Sequence, residues 1–180
     1  MRTPVLGPGT FASPTGSTHR ETIIGTFKNA ETSATLGLGT PVVLAFNGTD
    51  DGLAVQLPAT VAAVSAAKNS GFPAGVVVSP NGILAGAIGD VQTWGLCLQA
   101  KIVAATRSAT SAAWVSYASQ DTGAVLEVDT VANAFNIQGS TVAQQYLPYA
   151  VLAQSYASST TQASSLAQPT ITAKVFLRML

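Results

Sequence analysis

The chain has 180 residues, of which 47% are hydrophobic and only 9% are charged, with eight basic and eight acidic side chains. Because a typical soluble domain is roughly 25% charged, we expect much of this surface to be covered by other copies of the chain or by another protein. The zero net charge and the scattered cations argue against a nucleic-acid partner and against a polybasic membrane contact. The length allows one domain with a sizeable core.

The sequence shows no pattern of a targeting or membrane-spanning segment. Met1–Pro4 lacks the apolar core of a secretory signal. No stretch approaches the roughly 18 apolar residues of a membrane span. We therefore expect a protein made in a cytoplasm, without a membrane partner.

Residues 1–20 predict an extended N-terminal arm, because they hold three prolines and three glycines among Ser and Thr and show no apolar period. One interpretation is a disordered terminus, and the other is a segment that orders on a partner. In the second interpretation Val5, Leu6 and Phe11 are the partner-contact candidates.

Residues 21–180 predict a single β-rich domain, because short apolar runs are separated by turn residues. Pro41–Phe46 and Leu53–Leu57 form a first predicted hairpin. Val76–Val78 and Ile83–Leu84 form a second hairpin across an Asn-Gly turn, which tolerates the positive φ angles of tight turns.

Further strands are predicted in the second half of the chain. Trp114–Tyr117 and Val125–Val128 form a third predicted hairpin, and Trp94–Val103 is a longer strand candidate. Thr170–Leu180 alternates almost strictly, with its lysine and arginine on the side opposite the aliphatic residues.

One helix is predicted over Pro58–Lys68, where alanines and valines follow a proline. The expected fold is therefore mainly β, a small antiparallel β-sandwich or barrel-like domain with an extended N-terminal arm and at most one or two short helices.

The residues that could carry chemistry favour structural interpretations. His19 is isolated in the arm, and Cys97 lies in an apolar run where a small buried hydrophobe is expected. Asp50–Asp51 fits a hairpin loop better than a calcium site, and Glu127 and Asp129 fit a solvated strand face. We predict no enzyme activity, no metal and no cofactor.

A tyrosine group surrounds Pro148 and includes Tyr146, Tyr149 and Tyr156. Tyrosine is enriched at interfaces, so the group is either a contact patch or the edge of a core. Tyr146 and Tyr149 join the partner-contact candidates.

Three stretches resemble the turn-and-strand steps of bacteriophage capsid decoration, or cement, proteins: Leu38–Leu44, Phe72–Val78 and Gly86–Gly95. The terminal Thr172–Arg178 is similar to the C-terminal strand of a virion protein. The resemblance covers residues 36–105 and contains no catalytic residues.

The resemblance implies a structural virion protein on the outer capsid surface, made in the host cytoplasm. Such a protein clamps neighbouring major capsid protein subunits and is commonly a homotrimer. The residues leave open another phage or surface-assembly subunit, such as a head fibre or tail component. A non-catalytic ligand-binding β domain is a further alternative.

Deleting residues 2–18 is expected to leave the melting transition of the isolated oligomer nearly unchanged while weakening its attachment to capsid particles. Proline reduces the number of free states of the arm, so ordering it on a partner costs less entropy. Particle co-sedimentation and calorimetry of the full and shortened chains test this. Equally tight binding of the shortened chain would mean that the arm is a loose terminus.

Overall fold

The computed structural model describes residues 22–46, 50–58, 72–103, 105–107, 114–116, 122–129, 133–137, 150–155 and 170–178. All the elements in these ranges are strands, which confirms the mainly β, barrel-like fold. The arm, the predicted helix beyond Pro58 and the tyrosine group lie outside the described residues.

The strands, in chain order, are β1 (Ile23–Asn29), β2 (Pro41–Leu44), β3 (Ala54–Gln56), β4 (Pro73–Val77), β5 (Ile88–Val103), β6 (Ala105–Arg107), β7 (Trp114–Ser116), β8 (Val125–Asp129), β9 (Ala134–Ile137), β10 (Ala150–Leu152) and β11 (Thr170–Arg178).

Five strands close into a small barrel in the order β1-β3-β2-β4-β5. The β1–β5 pairing, which runs to Lys28↔Ile88, closes it. The β1–β3 pair is parallel, and the other pairs of the barrel are antiparallel. The interior holds a cluster of buried apolar side chains: Leu36, Val42, Leu44, Val55, Ala74, Val77, Ile83 and Val91.

The second half of β5 leaves the barrel and builds another layer. It pairs with β11 from Val103↔Thr170 to Trp94↔Arg178, and β10, β8 and β9 follow in the sheet. β9 returns to β5 at Ile102↔Phe135. This layer has its own core, which includes Cys97, Ala100, Ile102, Leu126, Phe135, Leu152, Val175 and Leu177.

β2 and β4 lie between the two cores, which explains why every residue of both strands is buried. Val42 and Leu44 pack inside the barrel, whereas Val43 and Val76 pack in the second core. A strand buried on both faces has a continuous apolar sequence instead of an alternating one. Each of these side chains stabilises the fold by about 1.5–3 kcal/mol.

Of the three predicted hairpins, the structure confirms one. The first is confirmed by the antiparallel register Leu44↔Val55. The second is wrong, because Ile83 forms an isolated bridge with Leu36 while β4 pairs with β5. The chain does turn at Gly82, but the Ile83 backbone exchanges both of its hydrogen bonds with Leu36 and does not pair with β4.

The third predicted hairpin is also wrong in its pairing. β7 pairs with β6, and β8 pairs with β9 and β10. The reason is the second core: Leu126 and Val128 of β8 are buried there beside Phe135 of β9. The alternation predicted for the last strand is confirmed up to Arg178, with Ala173, Val175 and Leu177 buried.

Gly39 allows the loop before β2 to lie directly on β5. Its N–H donates to the Val77 carbonyl, and its carbonyl accepts from the Lys101 N–H. Its φ is +78°, and a Cβ atom would overlap the Gln99 carbonyl oxygen. The close approach of two backbones therefore requires glycine.

Gly39→Ala is expected to destabilise the fold by about 3 kcal/mol, because left-handed strain and a backbone overlap combine. Gly52 offers a matched control: its φ is +76°, and nothing lies within 4 Å of an added Cβ. Gly52→Ala should therefore lower the free energy of unfolding by about 1 kcal/mol, because only the left-handed backbone conformation is strained. Urea unfolding of both variants provides the comparison, and equal losses would contradict the packing role of Gly39.

Candidate functional site

An apolar surface with basic residues crosses β1, β5 and β11 on the side facing away from the second core. We call it the basic face, and its members are Ile23, Trp94, Leu96, Leu98, Lys174, Phe176 and Arg178.

The strand register aligns these side chains. Trp94 pairs with Ile23 on one side and with Arg178 on the other, and Leu96 pairs with Phe176. Directly opposed residues of antiparallel strands project from the same face. The rings of Trp94 and Phe176 meet edge to face, with centroids 6.0 Å apart and an interplanar angle of 72°.

A β-bulge in β5 places two consecutive residues, Leu98 and Gln99, on the surface. Between the pairs Ala173↔Ala100 and Val175↔Cys97, one residue of β11 faces two residues of β5. Such a bulge breaks the simple alternation of side chains. Leu98 continues the outer row of Trp94 and Leu96 and is 57% exposed, and Phe176 on the neighbouring strand is 42% exposed.

The basic face rests on a firmly packed ladder. Ala173, Val175 and Leu177 alternate with its residues along β11 and are buried in the second core, as is Cys97 of β5. The exposed aromatic and leucine side chains are therefore not required to fill that core. Clustered large apolar side chains on the surface mark interaction sites.

Two cations flank the apolar part of the basic face. Lys174 and Arg178 are both exposed at the outer positions of β11. Neither has a carboxylate partner within the described part of the chain. The face therefore combines apolar area with positive charge that a partner could neutralise.

A second apolar surface, with acidic residues, lies at the other end of β1. We call it the acidic surface, and its members are Lys28, Asp50, Asp51, Leu53, Ile88 and Asp90.

Lys28 is the centre of the acidic surface. Its Nζ forms an ion pair with Asp50 Oδ2 at 2.7 Å, and its backbone N–H donates to the Leu53 carbonyl. Ile88 stands opposite Lys28 on β5, and Asp90 follows two residues later on the same outer side. Leu53 and Ile88 are 72% and 71% exposed.

The two surfaces are distinct. Ile23 and Lys28 lie five positions apart on β1, which corresponds to about 17 Å at about 3.4 Å per residue. One end of the strand therefore contributes to a positive apolar surface and the other end to a negative one.

The structure gives mixed outcomes for the residues considered from sequence. Cys97 is buried, which confirms its interpretation as a core residue. Burial raises the pKa of its thiol, and a backbone hydrogen bond involving Gln99 partly offsets this effect. Asp50 binds Lys28, and no group of three or more metal-ligating side chains occurs among the described residues. Glu127 is exposed on β8.

Several sequence candidates lie outside the described residues. They are His19 and the five partner-contact candidates Val5, Leu6, Phe11, Tyr146 and Tyr149.

The basic face was missed by sequence reasoning, although one signal was present. Phe176 falls on the same side of the alternating last strand as Lys174 and Arg178, where a solvated strand would carry a polar residue. Leu98 gave no such signal, because Leu96, Cys97 and Leu98 are all apolar and the sequence there does not distinguish the two sides of the strand.

No protein-family model matches the chain, and no curated protein is similar to it in sequence. In the described ranges, no helix has the length and apolar character needed to span a membrane.

The Cys97 thiol is expected to react with a thiol reagent about 100-fold more slowly in the folded chain than in the denatured chain. Its pKa is raised by folding, so its contribution to stability is present at neutral pH and is lost as pH rises through the folded-state pKa. Leu98→Cys adds an exposed thiol next to it as a control, which should react rapidly. A fast reaction of Cys97 itself would contradict its burial.

Proposed function

We propose that the chain is a structural virion protein that binds the outside of a phage capsid and cements contacts between major capsid protein subunits. The observation that carries the proposal is the basic face, where large apolar side chains are exposed to solvent on strands that are packed against the second core. In this role the face is covered once the particle is assembled.

Burial of the basic face would supply favourable free energy. Each Å² of apolar area removed from water contributes about 25 cal/mol. Aromatic residues and arginine, which this face contains, are enriched where partners bind most strongly. Because the backing strands are already packed in the second core, docking would require little ordering of the backbone.

Two further features suit an assembly protein. The chain has two separate apolar surfaces, and a protein that bridges neighbours needs more than one contact. With 9% charged residues, the folded chain also has little charge to keep copies apart. We extend the proposal to a homotrimer on the capsid surface, with the major capsid protein as its second partner. The resemblance of its turn-and-strand steps to decoration proteins supports the same assignment.

The purified chain is expected to bind phage particles that lack it, and to raise the temperature at which those particles come apart. Phe176→Asp should reduce the number of bound copies about tenfold, because it places a charge in an area that becomes covered when the chain assembles on the particle. Leu84→Asp is the matched control, since Leu84 is 65% exposed but lies outside the basic face. Gradient sedimentation with quantitative mass spectrometry measures the bound copies.

Failure of the unmodified chain to bind heads would overturn the proposal. Labelling of tails or fibres alone would favour a different assembly subunit. If Phe176→Asp and Leu84→Asp reduced the number of bound copies equally, the basic face would no longer support the proposal.

A further inference from the structure

We propose that the basic face of one copy docks onto the acidic surface of a second copy, joining copies head to tail. The inference deepens the proposed function and rests on it, since it names the contact through which copies associate on the capsid.

Charge complementarity is the first argument. The basic face presents Lys174 and Arg178 without an acidic residue among its members. The acidic surface presents three carboxylates and one ammonium group, Lys28, which Asp50 already binds. Among the described residues, the Asp90 side chain has no cationic partner, and Lys174 and Arg178 have no carboxylate partner. Docking would give these unmatched charges partners.

Apolar complementarity is the second argument. Leu53 and Ile88 are the most exposed apolar side chains of the acidic surface, as Leu98 and Ile23 are of the basic face. Each surface thus combines exposed apolar side chains with charged residues beside them. This arrangement matches the apolar core and polar rim of a protein interface.

The placement of the surfaces selects the mode of contact. A two-fold contact of the basic face with itself would bring Lys174 and Arg178 toward like charges, which opposes binding. A head-to-tail contact brings opposite charges together. Heterologous contacts of this kind close into a ring when the rotation between copies permits it, and the structure provides both halves of such a contact on one chain.

A charge swap in the full-length chain tests the inference without particles. Arg178→Asp and Asp90→Arg are each expected to weaken self-association about tenfold, measured by sedimentation equilibrium. The double variant R178D/D90R should recover most of the loss, because the two charges exchange places across the contact. Arg178→Gln serves as the milder variant if Arg178→Asp does not fold, and should weaken association less.

Ser33→Lys is the control for a change in overall charge, because Ser33 is exposed in the connection between β1 and β2 and belongs to neither surface. It should leave self-association unchanged. Monomeric wild-type protein at high concentration, or no recovery in the double variant, would overturn the inference. Stronger association of Arg178→Asp with the wild type than of the wild type with itself would reveal a face-to-face contact and also overturn it.

The charge-swap experiment and the particle-binding experiment can fail independently. If the charge swap fails while the chain still binds particles, the basic face contacts the capsid protein and only the contact between copies is wrong. If copies associate as described but no particle is bound, the cementing function is wrong.

Discussion

The fold depends on a single sixteen-residue strand that must serve two cores. The first half of β5 closes the barrel against β1, and its second half carries β11 and the second layer. Two irregularities make this possible. The pairs Ile23↔Trp94 and Ile24↔Gln92 leave one extra residue on β5, and Gly95 has a φ of +92°. Bulges of this kind bend and twist a strand, which lets β5 leave one core and enter the other.

The barrel also depends on a buried polar residue, Asn29, which is fully buried at the end of β1. Its Nδ2 donates to the carbonyls of Ala34 and Ile83, and its Oδ1 accepts from the Glu31 N–H. Because both functional ends of the amide are satisfied, burial carries little penalty. The residue ties two connecting segments to β1 beside the acidic surface, so the position of Lys28 follows from an interior hydrogen-bond network.

Sequence patterns were sufficient for the fold class and for the strands with clear alternation, such as Thr170–Arg178. They failed where pairing is decided at long range. Ile83 follows an Asn-Gly turn yet bridges to Leu36, far away in the sequence, and both side chains pack in the barrel core. β1 was not predicted, because its exposed Ile23 and Ile24 do not alternate across the bulge. Both surfaces were missed because long-range pairing brings their residues together: the one signal within a single strand, Phe176 on the side of Lys174 and Arg178, does not reveal the neighbours on β1 and β5.

The apolar outer residues and the low charge of the chain have a common physical explanation. Exposed leucine and phenylalanine on a rigid strand favour association, and a soluble monomer usually opposes this with abundant surface charge. Among the described residues, Lys174 and Arg178 lie on the basic face, whereas the acidic surface has three carboxylates and only Lys28 as a cation. When each surface carries mainly one sign of charge, contact between two surfaces of the same sign is opposed and contact between surfaces of opposite sign is favoured. The few charges on these two surfaces would thus determine which surfaces associate more than they would prevent association.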